Sequence, residues 1–485
     1  MSPAAAAARH KSLILVLCCL AQFMVILDVS IVNVALPSIR ADLGFSATGL
    51  QWVVNAYTLT FAGFLLLGGR AADLIGHREV FAGGLLLFGL ASLFGGIAQS
   101  SGQLVAARAL QGLGGAVVAP ATLAILATTF TEGAERNRAL GLWGAMGGAG
   151  GAAGVLLGGV LTQTLSWRWI LLINVPIGIA VALGAMRVVA RGRRDAGGAR
   201  SFDLAGALTV TAGLVTLTYG IVQTDVHGWG SVRTLVTIAL GLALLATFLF
   251  IEGRLATAPL VPLRIFRSRP VSGANLVVFC MGAAAFAMWY FLSLYLQQVL
   301  GDDPIEAGLS FLPMTASIIA TSQLASRLTS RVGPGLVLTA GMILLALGMV
   351  GLAQVSADGS YWADVLGPSI LTAAGIGFSF VPVTISATQG VRGAESGLAS
   401  GLVNSSRQVG GSIGLALLAT VATQRTHDVA GTVSGAVALT DGFQRAFTIG
   451  AGFAVAGAIV SATVLARSGA AAAAAARAGA DGAGA

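Results

Sequence analysis

Asp28 lies near the middle of the first long apolar run of the chain, residues 12–36. A carboxylate at such a depth in a bilayer costs about 3 kcal/mol or more unless it is protonated, hydrated or paired. It is the only acidic residue placed well inside an apolar run. Two roles fit it: a structural partner for Arg108, or a carboxyl that binds and releases protons or meets a cationic substrate. Arg108 stands in the fourth run with Gln111 and Gly112 at i+3 and i+4. That spacing sets a fixed positive charge and an amide on one helix face, where the guanidinium can favour proton release in one conformation and not in another. The alternative for Arg108 is an arginine that snorkels toward the outer end of its span.

Other chemistry is excluded. Lys11 is the only lysine and follows His10, so the G-x-x-x-x-G-K-[ST] phosphate loop is absent. His10, His77, His227 and His427 fall in separate segments, with no spacing that reads as a metal site. Cys18, Cys19 and Cys280 lie in apolar runs as packing residues. Gly410-Gly411-Ser412-Ile413-Gly414 matches G-x-S-x-G, but no histidine shares its span, so it is no nucleophile elbow. No cofactor and no metal are expected, and no enzyme activity, since the chain shows neither clustered catalytic groups nor a soluble domain.

These residues must be positioned by membrane helices. The 485 residues are 56% hydrophobic and 9% charged, with a mean hydropathy of +0.87, against about 25% charged in soluble chains. Apolar runs long enough to cross a bilayer fall at about 12–36, 48–69, 80–99, 103–130, 138–164, 168–190, 204–223, 232–252, 271–299, 305–327, 334–354, 364–387, 398–422 and 443–466. The expectation is an all-α polytopic membrane protein with 14 transmembrane helices. The first run is too long, and too interrupted by Asp28, for a signal peptide, and reads as a retained helix. Of the 27 basic residues, twenty fall on one set of alternate loops and five on the other, with Arg108 and Arg407 inside spans. The positive-inside rule then puts both termini in the cytoplasm. The net charge of +8 is spread between spans rather than gathered on a stripe, so nucleic acid is not a partner.

The most basic loops, 187–203 and 253–270, flank the seventh and eighth runs. The expected division is a cytoplasmic tail at 1–11, a six-helix bundle at 12–190, basic loops with two extra helices at 191–270, a second six-helix bundle at 271–466, and a disordered Ala/Gly tail at 467–485. An internal echo supports two related halves: Arg70-Ala-Ala-Asp73-Leu-Ile-Gly76 follows the second run and Arg327-Leu-Thr-Ser330-Arg-Val-Gly333 the tenth. In the fifth run, Gly144, Gly147, Gly148, Gly150, Gly151, Gly154, Gly158 and Gly159 form overlapping small-x-x-x-small pairs, a face that lets another helix approach closely.

Three fragments taken together resemble the major facilitator superfamily, in its fourteen-helix drug:proton antiporter branch of EmrB/QacA type. They are Leu27-Asp28-Val-Ser-Ile-Val-Asn33-Val-Ala-Leu-Pro37, Gln51-Trp52-Val-Val-Asn55-Ala-Tyr57 and Ser166-Trp-Arg168-Trp169-Ile-Leu-Leu-Ile-Asn174-Val-Pro176-Ile-Gly178. The likeness continues through Tyr295-Leu-Gln297-Gln298 and Gly397-Leu-Ala-Ser-Gly401-Leu-Val-Asn404. It implies the major facilitator fold, two six-helix bundles plus two extra central helices. It implies proton coupling at Asp28 and Arg108, and a cytoplasmic latch at Gly69, Asp73, Gly76 and Arg78, in which Leu74 and Glu79 stand where basic residues are usual. Gly154, Gly158 and Gly159 match the fifth-helix antiporter motif, with Val155 in place of its proline.

The resulting expectation is proton-coupled efflux of small amphipathic compounds (drugs, antibiotics or related metabolites) across the cytoplasmic membrane by alternating access, in a protein functional as a monomer. Phe23, Asn33, Trp52, Asn55, Tyr57, Gln111, Trp289, Tyr290 and Gln297 are candidate walls of the substrate cavity. The competing readings are proton-coupled uptake on the same fold and a non-transporting membrane receptor.

Overall fold

The computed structural model describes residues 3–131, 134–190, 203–256, 259–388 and 396–465. The tail at 467–485 and the loop residues 191–202 lie outside the described residues. Among the described residues the chain is helical throughout, in the order α1 (Pro3–Leu43), α2 (Trp52–Ile75), α3 (His77–Gly96), α4 (Ser101–Thr129), α5 (Ala134–Thr164), a single turn α6 (Trp169–Leu172) that runs on as α7 (Asn174–Val188), α8 (Leu204–Val222), a single turn α9 (Thr224–His227) and α10 (Val232–Phe250). There follow α11 (Arg269–Gln298), the short α12 (Pro304–Ser310), α13 (Leu312–Val332), α14 (Pro334–Leu352), α15 (Leu366–Thr388), α16 (Ser396–Val429) and α17 (Gly435–Val460). Among the described residues, thirteen helical stretches are long and apolar enough to cross a membrane. α16 is the fourteenth long helix, and its hydropathy is held down by the polar run Asn404-Ser405-Ser406-Arg407-Gln408.

Local chemistry sets the helix ends. Ser100 accepts from the Gln103 amide at the start of α4, and Ser231 from that of Thr234 at the start of α10. Each hydroxyl satisfies one of the amides that a helix start leaves without a partner. Before α12, Asp303 and Glu306 form a reciprocal capping box. The bond from the Glu306 amide holds the Asp303 carboxyl below its usual range, whereas burial pushes that of Asp302 up.

The helices form two compact units. One comprises residues 1–260 with 301–312, the other 261–300 with 313–485. Within the first, α1 packs on α5, α3 on α4 and α3 on α7; within the second, α11 packs on α16, α14 on α15 and α14 on α17. Counting spans from each unit's start, these are the same pairings: first with fifth, third with fourth, third with sixth. The sequence echo also has a backbone counterpart. Gly76, between α2 and α3, has φ 122°, and Gly333, between α13 and α14, has φ 88°, values open to glycine and strained for other residues. Replacing Gly76 by Ala is expected to destabilise the protein by about 1–3 kcal/mol. An unchanged thermal midpoint of the purified variant in detergent would contradict that assignment of the turn.

α8 and α10 pack on each other, and α8 joins the first unit through α2. Trp52 on α2 lies 6.4 Å from Tyr219 on α8, ring centre to ring centre. The glycine stripe of α5 has two faces. Gly150, Gly154 and Gly158, spaced by four, lie against the α1 backbone, and Ser30 of α1 donates to the Gly151 carbonyl at 3.1 Å. Gly159 instead meets Pro304 of α12, while Gly308 approaches the Val155 carbonyl so closely that an added Cβ would lie 2.6 Å from it. Gln163 fastens the same contact by donating to Asp303 at 3.0 Å. With Val155 in place of proline, α5 runs unbroken from Ala134 to Thr164.

Candidate functional site

Helices of the first unit bring Asp28 and Arg108 together, both almost completely buried. Asp28 comes from α1, Arg108 and Gln111 from α4, Asn174 from the first turn of α7, and Ser92 from α3. Arg108 Nη1 donates to Asp28 Oδ2 at 2.5 Å, Gln111 Nε2 to Oδ1 at 3.0 Å, and Asn174 Nδ2 to Oδ1 at 2.9 Å. All three partners are donors, so this is the hydrogen-bonding pattern of an ionised carboxylate. Arg108 is held in turn. Its Nε donates to the Val53 carbonyl at 2.9 Å and its Nη1 to Gln111 Oε1 at 2.8 Å, while its guanidinium stacks 4.6 Å over the Tyr57 ring. Gln111 also donates to Ser92 Oγ at 2.7 Å.

The site exists because α2 and α4 approach closely. Gly112 sits beneath Arg108, and any Cβ there would collide with the Tyr57 carbonyl and the Thr60 hydroxyl. Gly68 has the same relation to Ala116 one seam position further along. Thr60 donates across the seam to the Ala109 carbonyl at 2.9 Å. Two acceptor or donor groups at the site have no hydrogen-bond partner: Asn174 Oδ1 and Tyr57 Oη.

The remaining predicted positions are dispersed. Asn55 is buried and donates to Gln51 at 3.4 Å; Asn33 donates back to the Val29 carbonyl of its own helix. Phe23 is half-buried on α1, and Trp52 faces Tyr219. Tyr290 is buried edge-on to Phe291, which also packs against Phe443 and Phe447. Trp289 is half-buried, and Gln297 donates to Ser293 Oγ at 3.2 Å. Of the latch residues, Gly69 lies beside Pro120 and Gly76 makes the turn, while Arg78 keeps a buried Nε without an acceptor. The Asp73 side chain lies outside the described residues.

Sequence reasoning did not assign Asn174 or Ser92 to the site. Asn174 is the only amide side chain in α7 and lies within one of the quoted motifs, and that was the available signal. It also left Arg168 without a role. Arg168 donates to Asp42 at 2.6 Å and to the Ala98 carbonyl at 3.0 Å, and stacks on Trp167, whose indole shares Asp42. The Ser-Trp-Arg-Trp segment therefore clamps the ends of α1 and α3. At the start of α5, Lys11 pairs with Glu135 at 2.8 Å; that bond, with two from Thr131, holds the Glu135 carboxyl down at about 2.

Residues 18–415 match the Major Facilitator Superfamily, and the chain belongs to it. It is therefore a multi-pass membrane transporter that handles small molecules. The chain is 47% identical over 408 residues to the cephamycin export protein CmcT of Amycolatopsis lactamdurans, covering 84% of each chain. It is 41% identical over 450 residues to the puromycin resistance protein pur8 of Streptomyces alboniger, 92% of this chain and 88% of that one. With the tetracenomycin C resistance and export protein of Streptomyces glaucescens it shares 35% identity, over 84% of this chain and 75% of the other. Among solved structures, a bacterial homologue of the human lysosomal transporter Spinster superposes with a TM-score of 0.67 at 15% identity, covering 94% of this chain and 98% of that one. The nucleoside transporter NupG gives 0.68 at 12%, covering 93% and 99%. These two share the fold.

Proposed function

We propose that this protein exports small amphipathic compounds (drugs, antibiotics or related metabolites) across the cytoplasmic membrane, in exchange for protons, by alternating access of two six-helix halves at 12–190 and 271–466. The observation that carries this reading is the buried Asp28–Arg108 pair with its amide partners, in a chain whose relatives are named for export of, or resistance to, antibiotics. A buried ion pair is a costly way to join helices, because desolvation offsets most of its attraction. A transporter has a use for one that can be opened.

For Asp28 to take up a proton, Arg108 must leave it. The Tyr57 ring already lies under the guanidinium and offers a face for the cation. Asn174 supplies the complementary change. Its carbonyl oxygen has no partner, so a turn of the amide exchanges a donor to the carboxylate for an acceptor to the protonated carboxyl. The carboxyl of Asp28 can thus keep an Asn174 partner in both protonation states. The basic loops support a cytoplasmic position for both termini, and one chain carries all of the residues that the mechanism uses.

Direction is tested with everted membrane vesicles energised to an acidic interior and offered radiolabelled puromycin, a cephamycin and tetracenomycin C. Accumulation of at least one, abolished by a protonophore, is the expected result. Loss of preloaded compound on energisation would instead indicate uptake in the cell and overturn the export reading.

A further inference from the structure

Arg407 stands eleven residues into α16, about 16 Å along the helix at 1.5 Å per residue. Charged side chains within spans are ordinarily paired, and those at the other long-range contacts are. Within a span Arg108 has Asp28, and at loops and span ends Arg168 has Asp42, Arg425 has Asp441, and Lys11 has Glu135. Among the described residues, Arg407 has no acidic partner. Its Nη2 donates to Asn404 Oδ1 at 2.8 Å and its guanidinium carbon lies 5.4 Å from the centre of the Phe380 ring on α15. The neighbouring polar group is already engaged, since Ser406 donates to Asn275 of α11 at 2.8 Å.

The cluster is therefore biased in sign. Arginine has five N–H donors and no acceptor, and one donor is used. Because Asn404 gives its carbonyl to Arg407, its free end is the amide NH2. Both side chains are half-buried rather than sealed, so an incoming group meets only donors and one full positive charge, beside an aromatic face. The backbone beneath is fixed: α16 is pressed on α11 where Gly282 meets the Arg407 carbonyl and Gly410 meets Phe279. A rigid guanidinium with unused N–H pairs suits a planar oxyanion held by two parallel bonds.

We propose that Arg407, Asn404 and Phe380 form a substrate subsite for an amphipathic monoanion, with a carboxylate or sulfonate on the guanidinium and an apolar ring against Phe380. This rests on the export reading and narrows its substrate class. Asp28 already accepts from three donors, whereas Arg407 has no acidic partner among the described residues, so this cluster favours anionic over cationic cargo.

The test is binding of dansylglycine, a monoanion, and of its neutral methyl ester, to the purified full chain in phosphatidylcholine nanodiscs, followed by dansyl fluorescence. The wild type is expected to prefer the acid. Arg407→Gln should weaken acid binding by about 10-fold or more and leave the ester within about 2-fold, with Arg407→Lys between, as for loss of hydrogen bonds to a charged group. Equal affinity of the wild type for acid and ester overturns the proposal, as does no binding of either, and neither result needs a folded variant. An unchanged acid affinity in Arg407→Gln overturns it too. Displacement of the acid by added phosphatidylglycerol would make a lipid the source of the anion and overturn the substrate assignment. Everted vesicles separate the two levels: protein that prefers the acid but moves neither probe fails as an exporter and keeps the subsite. Protein that moves the ester and excludes the acid is an exporter without it.

Discussion

Asp28→Asn is expected to abolish substrate accumulation driven by a pH gradient while leaving substrate counterflow, which requires no net proton movement, in place. Asparagine keeps the shape of the side chain and an oxygen that accepts from Arg108, but it cannot titrate. The variant will also be less stable, because a buried guanidinium loses its counter-charge, a change that costs about 3–5 kcal/mol when one partner of a buried pair is removed. The remaining bonds of Arg108 to the Val53 carbonyl and to Gln111 place the loss at the lower end. Removing both charges separates structure from coupling. Asp28→Asn combined with Arg108→Gln should recover most of the lost stability in detergent and none of the gradient-driven transport. Recovery of transport in the double variant would mean that the pair only joins helices.

Gly112→Ala is expected to be the most damaging single methyl in the first unit. An added Cβ has to displace the Tyr57 carbonyl, which belongs to the α2 backbone and cannot rotate away. Separating α2 from α4 stretches the bond from Arg108 to Val53 and lifts the guanidinium off Asp28. Overpacking of this kind costs about 1–3 kcal/mol and sometimes more, so both the thermal midpoint and transport should fall. Gly83→Ala is the matched control: it lies in the middle of α3 with nothing within 4 Å of the added carbon, and a change within about 0.5 kcal/mol is expected there. Equal midpoints for the two variants would show that the seam relaxes and does not fix the site.

Much of this was legible in the residues. Apolar length alone located the long helices, because a bilayer demands about twenty apolar residues per crossing and offers the backbone no other way to satisfy its hydrogen bonds. Asp28 and Arg108 stood out because a charge in an apolar run needs a reason. Asn174 and Ser92 did not, being uncharged residues that an apolar span accommodates on either face. Their partner is 146 residues away in the case of Asn174 and Asp28, and only packing of α7 and α3 around α1 and α4 brings them in. Helix breaks were similarly hidden. The interruption at Ile173 between α6 and α7, and that at Phe311 between α12 and α13, lie inside stretches whose hydropathy reads as single spans. The glycine run of α5 predicted close packing without revealing that it serves two neighbours, α1 through Gly150, Gly154 and Gly158, and α12 through Gly159.

The central claim is that substrate and proton exchange through the titration of Asp28. The most direct measurement uses proteoliposomes containing the purified protein and a trapped pH indicator, with a transported substrate added on one side. The wild type is predicted to move protons against the substrate flux and Asp28→Asn to move none, with both proteins shown to be folded by counterflow. Proton movement of equal size in Asp28→Asn would contradict the account.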